Sequence, residues 1–225
     1  MQKLSGTKEK AIEDISNMLD RYKGTKREYL LASWLSEYCR YIKQEETFNP
    51  KYLKRYKRGE IIKVNLGYRL GSEEGGPHYA VVLDKKNSQY SDIITILPLS
   101  SKKETTKLNE YTLDLGYEIY TSLERKAKKV FSQSLKNVKI NPPVAKPGQE
   151  VEISFDFNKK EVDAIMSEIA SMKEGSIGLI TQITSISKMR IIKPTRTTDA
   201  LSGIRLSDDS LNRIDAQILK LYIGN

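Results

Sequence analysis

The sequence contains very few residues of the two types that most often build metal sites and covalent catalytic sites. It has one histidine, His78, and one cysteine, Cys39, among its 225 residues. A single cysteine excludes an intramolecular disulfide and is typical of a reducing compartment, so we predict a cytoplasmic protein. A conventional zinc site, which needs about four such ligands, is excluded. Large apolar residues surround Cys39, and we expect it to be a small buried side chain.

Long apolar runs and familiar cofactor motifs are missing as well. No stretch approaches the roughly 18 apolar residues that cross a membrane, and we expect no membrane partner. The glycines at 71, 75 and 76 are not followed by the lysine of a P-loop, and they lead into a strand rather than a helix. We therefore predict no cofactor, and chemistry by proton transfer and charge stabilisation without a metal.

The charge of the chain is its strongest compositional feature. There are 38 Lys and Arg against 29 Asp and Glu, which gives a formal net charge of +9. A surplus of this size favours a polyanionic partner such as RNA or DNA. The alternative is a solvated basic surface that has no specific partner.

The N-terminal segment has helical periodicity. Apolar residues predict one helix over 8–22 and a second over 26–45, which together resemble a helical hairpin. We define residues 1–55 as a helical N-terminal extension. The hairpin and the basic, tyrosine-rich segment after it suit either phosphates and stacked bases or simple packing on the main domain. The face that we expect the second helix to bury contains Tyr29, Leu30, Trp34, Tyr38, Tyr41 and Ile42.

From Arg58 the apolar period changes to two, which predicts strands. Residues 62–66 alternate as a half-buried strand, and 111–115 alternate in the same way. The runs at 80–83 and 93–99 are almost continuously apolar, so we predict central strands that are covered on both faces.

The second half mixes helices with strands. We predict a helix over 118–135, a proline-rich loop over 137–149 and a strand over 150–157. Asn158 should then cap a helix that ends at Ser171.

The remaining residues complete an α+β fold class. We predict a strand over 176–186, which 188–193 extends or pairs with, and a last helix capped by Ser207. Residues 56–225 would form the main domain, with 117–174 as a helix–strand–helix insertion.

The candidate site residues cluster around the glycine-rich loop and the end of the strand over 93–99. Cleavage of RNA by its own 2′-hydroxyl needs a base, an acid and donors to the phosphorane oxygens. A histidine titrates in the useful range, and serine hydroxyls are neutral donors. The alternative is that the single histidine has only a structural role. The candidates are Ser72, Glu73, His78, Ser100 and Ser101, with Arg58, Lys102 and Lys103 close by in sequence.

These segments resemble the MazF/PemK (CcdB-like) toxins of type II toxin–antitoxin systems. The resemblance rests on RGEI at 58–61, GSEEGGPHYAVV at 71–82, PLSS at 98–101 and the block from Ser176 to Ile191. It implies an SH3-like small β-barrel with a C-terminal helix, a homodimer, and cleavage of single-stranded RNA that leaves a 2′,3′-cyclic phosphate. It also implies an antitoxin whose acidic segment occupies the RNA groove.

The match to the family's catalytic positions is uneven. Ser100 falls where the family has a catalytic threonine, which conserves the hydroxyl. His78 falls where the family has a catalytic arginine, and a histidine is neither a permanent cation nor a bidentate phosphate donor. We expect His78 and Ser100 to act at the scissile phosphate. The residues expected to bind substrate are Arg58, Ser72, Glu73, Ser101 and Lys102.

Several alternatives stay open. His78 could act as an acid or base while Arg58, Lys102 or Lys103 supplies positive charge. The chain could instead be a non-catalytic nucleic-acid-binding or gyrase-binding module on the same fold, or a protein-interaction partner. The helical extension and the insertion could determine specificity, replace part of the antitoxin's role, or only enlarge the core.

Overall fold

The computed structural model describes residues 2–136, 138–141, 146–148, 150, 152–155, 159–172 and 175–224. The chain divides into two compact units, which are treated one at a time. The first unit combines Met1–Phe48 with Leu66–Gly76, and the second combines Asn49–Asn65 with Pro77–Asn225.

The first unit contains the predicted helical hairpin. Its helices are α1 (Gln2–Arg21) and α2 (Lys26–Glu45), and the Thr25 side chain caps α2 by accepting a hydrogen bond from the Glu28 backbone N–H. The predicted burial of one face of α2 is wrong, since none of its residues is buried and Tyr29 is 71% exposed. Cys39 is also exposed, contrary to expectation. A pair of helices forms only one layer, which leaves much of each apolar stripe at the surface.

The glycine-rich loop belongs to the same unit as these helices. Gly67 has a positive φ of 80°, and a Cβ there would lie 2.6 Å from the Trp34 ring. The Tyr68 hydroxyl accepts a hydrogen bond from Arg27 Nε at 2.8 Å. Only glycine combines this backbone conformation with such a close approach of the loop to α2.

The second unit is built on an antiparallel sheet of seven strands. The strands of the unit are β1 (Ile61–Asn65), β2 (Pro77–Val82), β3 (Ile93–Ser101), β4 (Thr112–Gly116), β5 (Val138–Asn141), β6 (Glu152–Phe155), β7 (Ser176–Leu179), β8 (Thr184–Ser187) and β9 (Ile191–Lys193). The order in the seven-stranded sheet is β4-β7-β3-β2-β1-β9, with β8 beside β3, while β5 and β6 form a separate two-stranded sheet.

Hydrogen bonds do not close this sheet into the expected barrel. In the described part of the chain, the order begins at β4 and ends at β9, and no ladder joins the two. The segment predicted as one strand over 176–186 is interrupted by a 3₁₀ turn at Ile180–Gln182. As a result β7 pairs with the end of β3 and β8 with its beginning. Residues 188–193 were expected to extend or pair with that strand, but β9, which lies in this segment, pairs with β1 instead.

Both faces of the central strands are buried, as predicted. Val81, Leu97 and Leu99 contribute to the main core, together with residues of the helices that cover one face of the sheet. Burying each such side chain contributes about 1.5–3 kcal/mol. The opposite face is also apolar and buried, and its side chains include Ile62, Val64, Ala80, Val82, Ile94 and Ile96.

The segment between β4 and β7 contains α3 (Glu118–Lys136), β5, β6 and α4 (Lys159–Ser171). It is a helix–strand–strand–helix arrangement rather than the predicted helix–strand–helix, because β5 lies within the predicted loop over 137–149. The strand predicted over 150–157 is present as β6. The proposed helix cap, Asn158, lies outside the described residues.

The last helix of the unit is α5 (Asp208–Ile218). Ser207 caps it as predicted, by accepting a hydrogen bond from the Ser210 backbone N–H. The Ser210 hydroxyl donates to the Glu118 carboxylate at 2.5 Å, which ties α5 to the start of α3. Within the described residues, no helix has the length and apolar character needed to cross a membrane.

Candidate active site

His78 and Ser100 lie on neighbouring strands at the same end of the sheet. The β2–β3 ladder pairs Ala80 with Pro98, and extending that register by two residues brings His78 level with Ser100. Side chains alternate along a strand, so the two residues belong to the same face of the sheet as Ala80 and Pro98. Both are half-buried.

The neighbouring strands fix the two positions. His78 lies opposite Val64 on β1, and Ser100 lies opposite Ile177 on β7. Val64 and Ile177 are buried apolar side chains, at 0% and 2% exposure. The two polar groups therefore sit at the border of an apolar layer, where hydrogen bonds to a substrate are less weakened by water.

The opposite face carries a polar network that links β2 to α4. The Tyr79 hydroxyl donates to the Glu168 carboxylate at 2.5 Å, and Lys193 forms an ion pair with the other oxygen of that carboxylate. The ammonium of Lys63 lies 5.1 Å from the centre of the Tyr79 ring. Burial and the Glu168 hydrogen bond raise the pKa of Tyr79, so it remains a hydroxyl donor at neutral pH.

A small cavity separates the end of β3 from α4. Its volume is about 50 Å³, which holds one or two water molecules but not a nucleotide. Helix α4 forms one wall and the sheet the other. The polar residues that line it are Tyr79, Ser100, Ser101, Ser171 and Ser176.

Lys102 directly follows β3 and is held by two contacts. Its backbone N–H donates to the Gly175 carbonyl at 2.9 Å, and its ammonium lies 2.5 Å from the Asp114 carboxylate. This hydrogen bond lowers the pKa of Asp114 and raises the pKa of Lys102. The lysine, two residues after Ser100 in sequence, is thus a cation at neutral pH, although Asp114 offsets part of its charge.

Arg58 is placed well away from His78. Its guanidinium donates to the Leu83 carbonyl and forms an ion pair with Asp215 on α5. Leu83 follows His78 by five residues, which corresponds to roughly 16 Å along a strand. The structure therefore does not bring Arg58 together with His78 and Ser100.

Ser72 and Glu73 lie in the loop of the first unit. The Glu73 backbone N–H donates to the Leu70 carbonyl at 3.1 Å, and its carboxylate lies 3.6 Å from the Arg69 guanidinium. These contacts order the turn locally. The roles in substrate binding that we assigned to Ser72 and Glu73 stay predictions.

Sequence reasoning missed the network around Glu168. A signal for it exists, because Glu168 follows Ile165 by three residues and precedes Met172 by four, which puts a carboxylate on the buried stripe of α4. Its two partners lie far away in sequence and have no such signal. Within the described ranges, no group of three or more His, Cys, Asp or Glu side chains is arranged to hold a metal ion.

Comparison with known proteins gives one family. Residues 57–141 match the family described as the PemK-like, MazF-like toxin of type II toxin–antitoxin systems. The matched region includes β1 to β4, α3 and β5, and therefore both His78 and Ser100. No curated protein matches the chain significantly. The chain thus contains, over residues 57–141, a PemK/MazF-like type II toxin–antitoxin toxin domain.

Proposed function

We propose that this protein is a metal-independent endoribonuclease toxin that acts in the cytoplasm on single-stranded RNA. The observation that carries the proposal is the placement of His78 and Ser100 at one level and on one face of neighbouring strands, inside the region that matches the toxin family. An imidazole beside a neutral hydroxyl supplies the base and one donor to the phosphorane oxygens that cleavage of RNA by its own 2′-hydroxyl needs.

In the proposed reaction, His78 accepts the proton of the 2′-hydroxyl as that oxygen attacks the adjacent phosphorus. The new 2′-O–P bond forms as the P–O5′ bond breaks, and the 5′-oxygen takes a proton from solvent water as it leaves. The protonated His78 then returns its proton to solvent. The Ser100 hydroxyl donates to a non-bridging oxygen of the phosphorane, and Lys102 offsets the developing negative charge. The products are a 2′,3′-cyclic phosphate and a 5′-hydroxyl. Ser101 is proposed to contact the substrate beside Ser100.

The proposal includes two protein partners. A cognate antitoxin would cover the basic RNA-binding surface, and a second copy of the chain would form a homodimer. The antitoxin follows from the match to a type II toxin, because an active toxin must be restrained in the cell. The homodimer rests on the resemblance to the family alone.

A second candidate is a non-catalytic nucleic-acid-binding module on the same fold. One feature favours it: a histidine stands where the family has an arginine, and a histidine is neither a permanent cation nor a bidentate phosphate donor. The two candidates differ in whether bound RNA is recovered intact.

Single substitutions distinguish the candidates. Removing one donor to a developing oxyanion costs about 10²–10³ in rate, so Ser100→Ala should slow cleavage by that factor. His78→Ala should cost about 10²–10⁴, as expected for loss of a general base. The matched control is Ser132→Ala, which replaces an exposed serine on α3 and should cleave at the parental rate. Parental rates in both site variants would refute the assignment.

A further inference from the structure

A large basic groove lies at the opposite end of the sheet from His78 and Ser100. Its volume is about 1150 Å³, and it is formed by residues 55–58, the loop over 85–90 between β2 and β3, and Arg205. Among the described residues, no aspartate or glutamate lines it. The six cationic residues along its walls are Arg55, Lys57, Arg58, Lys85, Lys86 and Arg205.

Most of this positive charge is not balanced within the protein. Arg58 pairs with Asp215, and Arg205 pairs with Asp208 at 3.0 Å. The buried acid Glu60, two residues after Arg58 in sequence, is already paired with Lys54 at 2.5 Å. The other cationic side chains of the groove are exposed and form no ion pair with any residue that the structure describes; they are Arg55, Lys57, Lys85 and Lys86.

The loop that supplies Lys85 and Lys86 is held in place. The buried Lys188 ammonium donates to the Ser88 carbonyl at 2.8 Å, and the Gln89 side chain donates to the Lys51 carbonyl at 2.8 Å. Hydrogen bonds that secure a surface loop reduce the ordering cost of binding a ligand. The groove is thus pre-organised.

An aromatic ring accompanies the charges. Tyr90 lines the groove and is 77% exposed, whereas Tyr56 is buried and donates its hydroxyl hydrogen to the Pro194 carbonyl. Basic grooves with exposed aromatic rings bind single-stranded nucleic acids, because the cations contact phosphates and the ring stacks on a base.

We propose that this groove is a binding site for the phosphate backbone of single-stranded nucleic acid, separate from the site at His78 and Ser100. Ser100 follows Ile93, at the groove end of β3, by seven residues, or roughly 23 Å along the strand. Lys85 and Lys86 contact phosphates, and Tyr90 stacks on a base. The groove does not take part in bond cleavage, so the proposal holds or fails independently of the endoribonuclease activity.

The test is the salt dependence of binding, measured by fluorescence anisotropy on a labelled 20-nucleotide RNA and on DNA of the same sequence. The protein is the full-length Ser100→Ala variant, with and without Lys85→Ala/Lys86→Ala. Each phosphate contact contributes about 0.7 to the slope of log K against log salt, so the double substitution should reduce that slope by roughly 1.4. If four cations contact phosphates, the affinity of the unsubstituted groove should fall about 50-fold between 50 and 200 mM salt. The affinity of the double variant should fall only about 7-fold over the same range.

The matched control is Lys128→Ala/Lys129→Ala, which removes the same charge from an exposed lysine pair on α3. Its slope should equal that of the parent. An unchanged slope in the groove variant, or the same reduction in both double variants, would overturn the proposal.

RNA and DNA should bind within a few-fold of each other, and binding of RNA alone would contradict a site that reads phosphates. Binding of polyglutamate but not of RNA would assign the groove to an acidic protein partner instead. Because every variant in this assay carries Ser100→Ala, the result for the groove does not depend on whether the protein cleaves RNA.

Discussion

The two partners of the ion pair between α4 and β9 should contribute unequally to stability. The Glu168 side chain is 1% exposed, whereas the Lys193 side chain is 37% exposed. Removal of the lysine leaves a buried carboxylate whose only remaining partner, of those described here, is the Tyr79 hydroxyl. Removal of the acid leaves a lysine that can turn into solvent. The asymmetry follows from which of the two groups loses its access to water.

The magnitudes follow from burial. Lys193→Met should lower the free energy of unfolding by about 3–5 kcal/mol, the usual cost of an uncompensated buried charge. Glu168→Gln keeps the shape of the side chain and an oxygen that accepts from Tyr79, so it should cost only about 1–2 kcal/mol. In a chain of this length, 1 kcal/mol shifts the melting temperature by roughly 2–4 °C.

Urea unfolding at neutral pH, followed by circular dichroism, measures the loss of unfolding free energy in each variant. The control for loss of a lysine is Lys128→Met, at an exposed position of α3. The control should change the free energy of unfolding by less than about 0.5 kcal/mol. A larger loss for Glu168→Gln than for Lys193→Met, or equal losses, would refute the reasoning from burial. Equal m-values in all variants are needed for the comparison to be valid.

Two further predictions concern single contacts. The lowered pKa of Asp114 implies that its pairing contributes stability above its ordinary pKa of 3.8, which is lost as pH falls through the folded-state pKa. Asp114→Asn should therefore cost up to about 1 kcal/mol at pH 7, and this cost should shrink as pH falls below 3.8 and through the folded-state pKa; a constant difference in urea midpoint would contradict this. Gly67→Ala should displace the Trp34 ring and change the emission of the only tryptophan; an unchanged spectrum would show that the loop tolerates a Cβ.

Local signals were enough to place most elements. The helical period and the turn at Gly24 predicted α2 correctly, since these features depend on neighbouring residues only. The almost continuous apolar runs at 80–83 and 93–99 correctly indicated central strands, because strands covered on both faces carry apolar side chains on both.

The errors arise where distant parts of the chain decide the structure. The run over 176–186 does not indicate the break between β7 and β8, which pair with different parts of β3. The exposure of Tyr29 depends on which surface lies beside α2, not on the helical period. The ion pair of Glu168 joins positions 25 residues apart, so its existence required the three-dimensional fold.

The candidate site was predictable only in part. The side-chain chemistry and the position at a strand end make His78 and Ser100 candidates, the resemblance to the family supplies their expected roles, and the strand register puts them at one level. Arg58 was assigned to the same site because of its closeness in sequence to the glycine-rich loop. The antiparallel hairpin puts Arg58 and His78 at opposite ends of β2, a separation that sequence distance does not reveal.

The central claim is tested most directly by incubating the purified protein with a long single-stranded RNA in excess EDTA and determining the chemistry of the product ends. We expect discrete cuts with 2′,3′-cyclic phosphate and 5′-hydroxyl ends, which His78→Ala lacks. Intact RNA after prolonged incubation, or identical cuts in His78→Ala, would contradict the account.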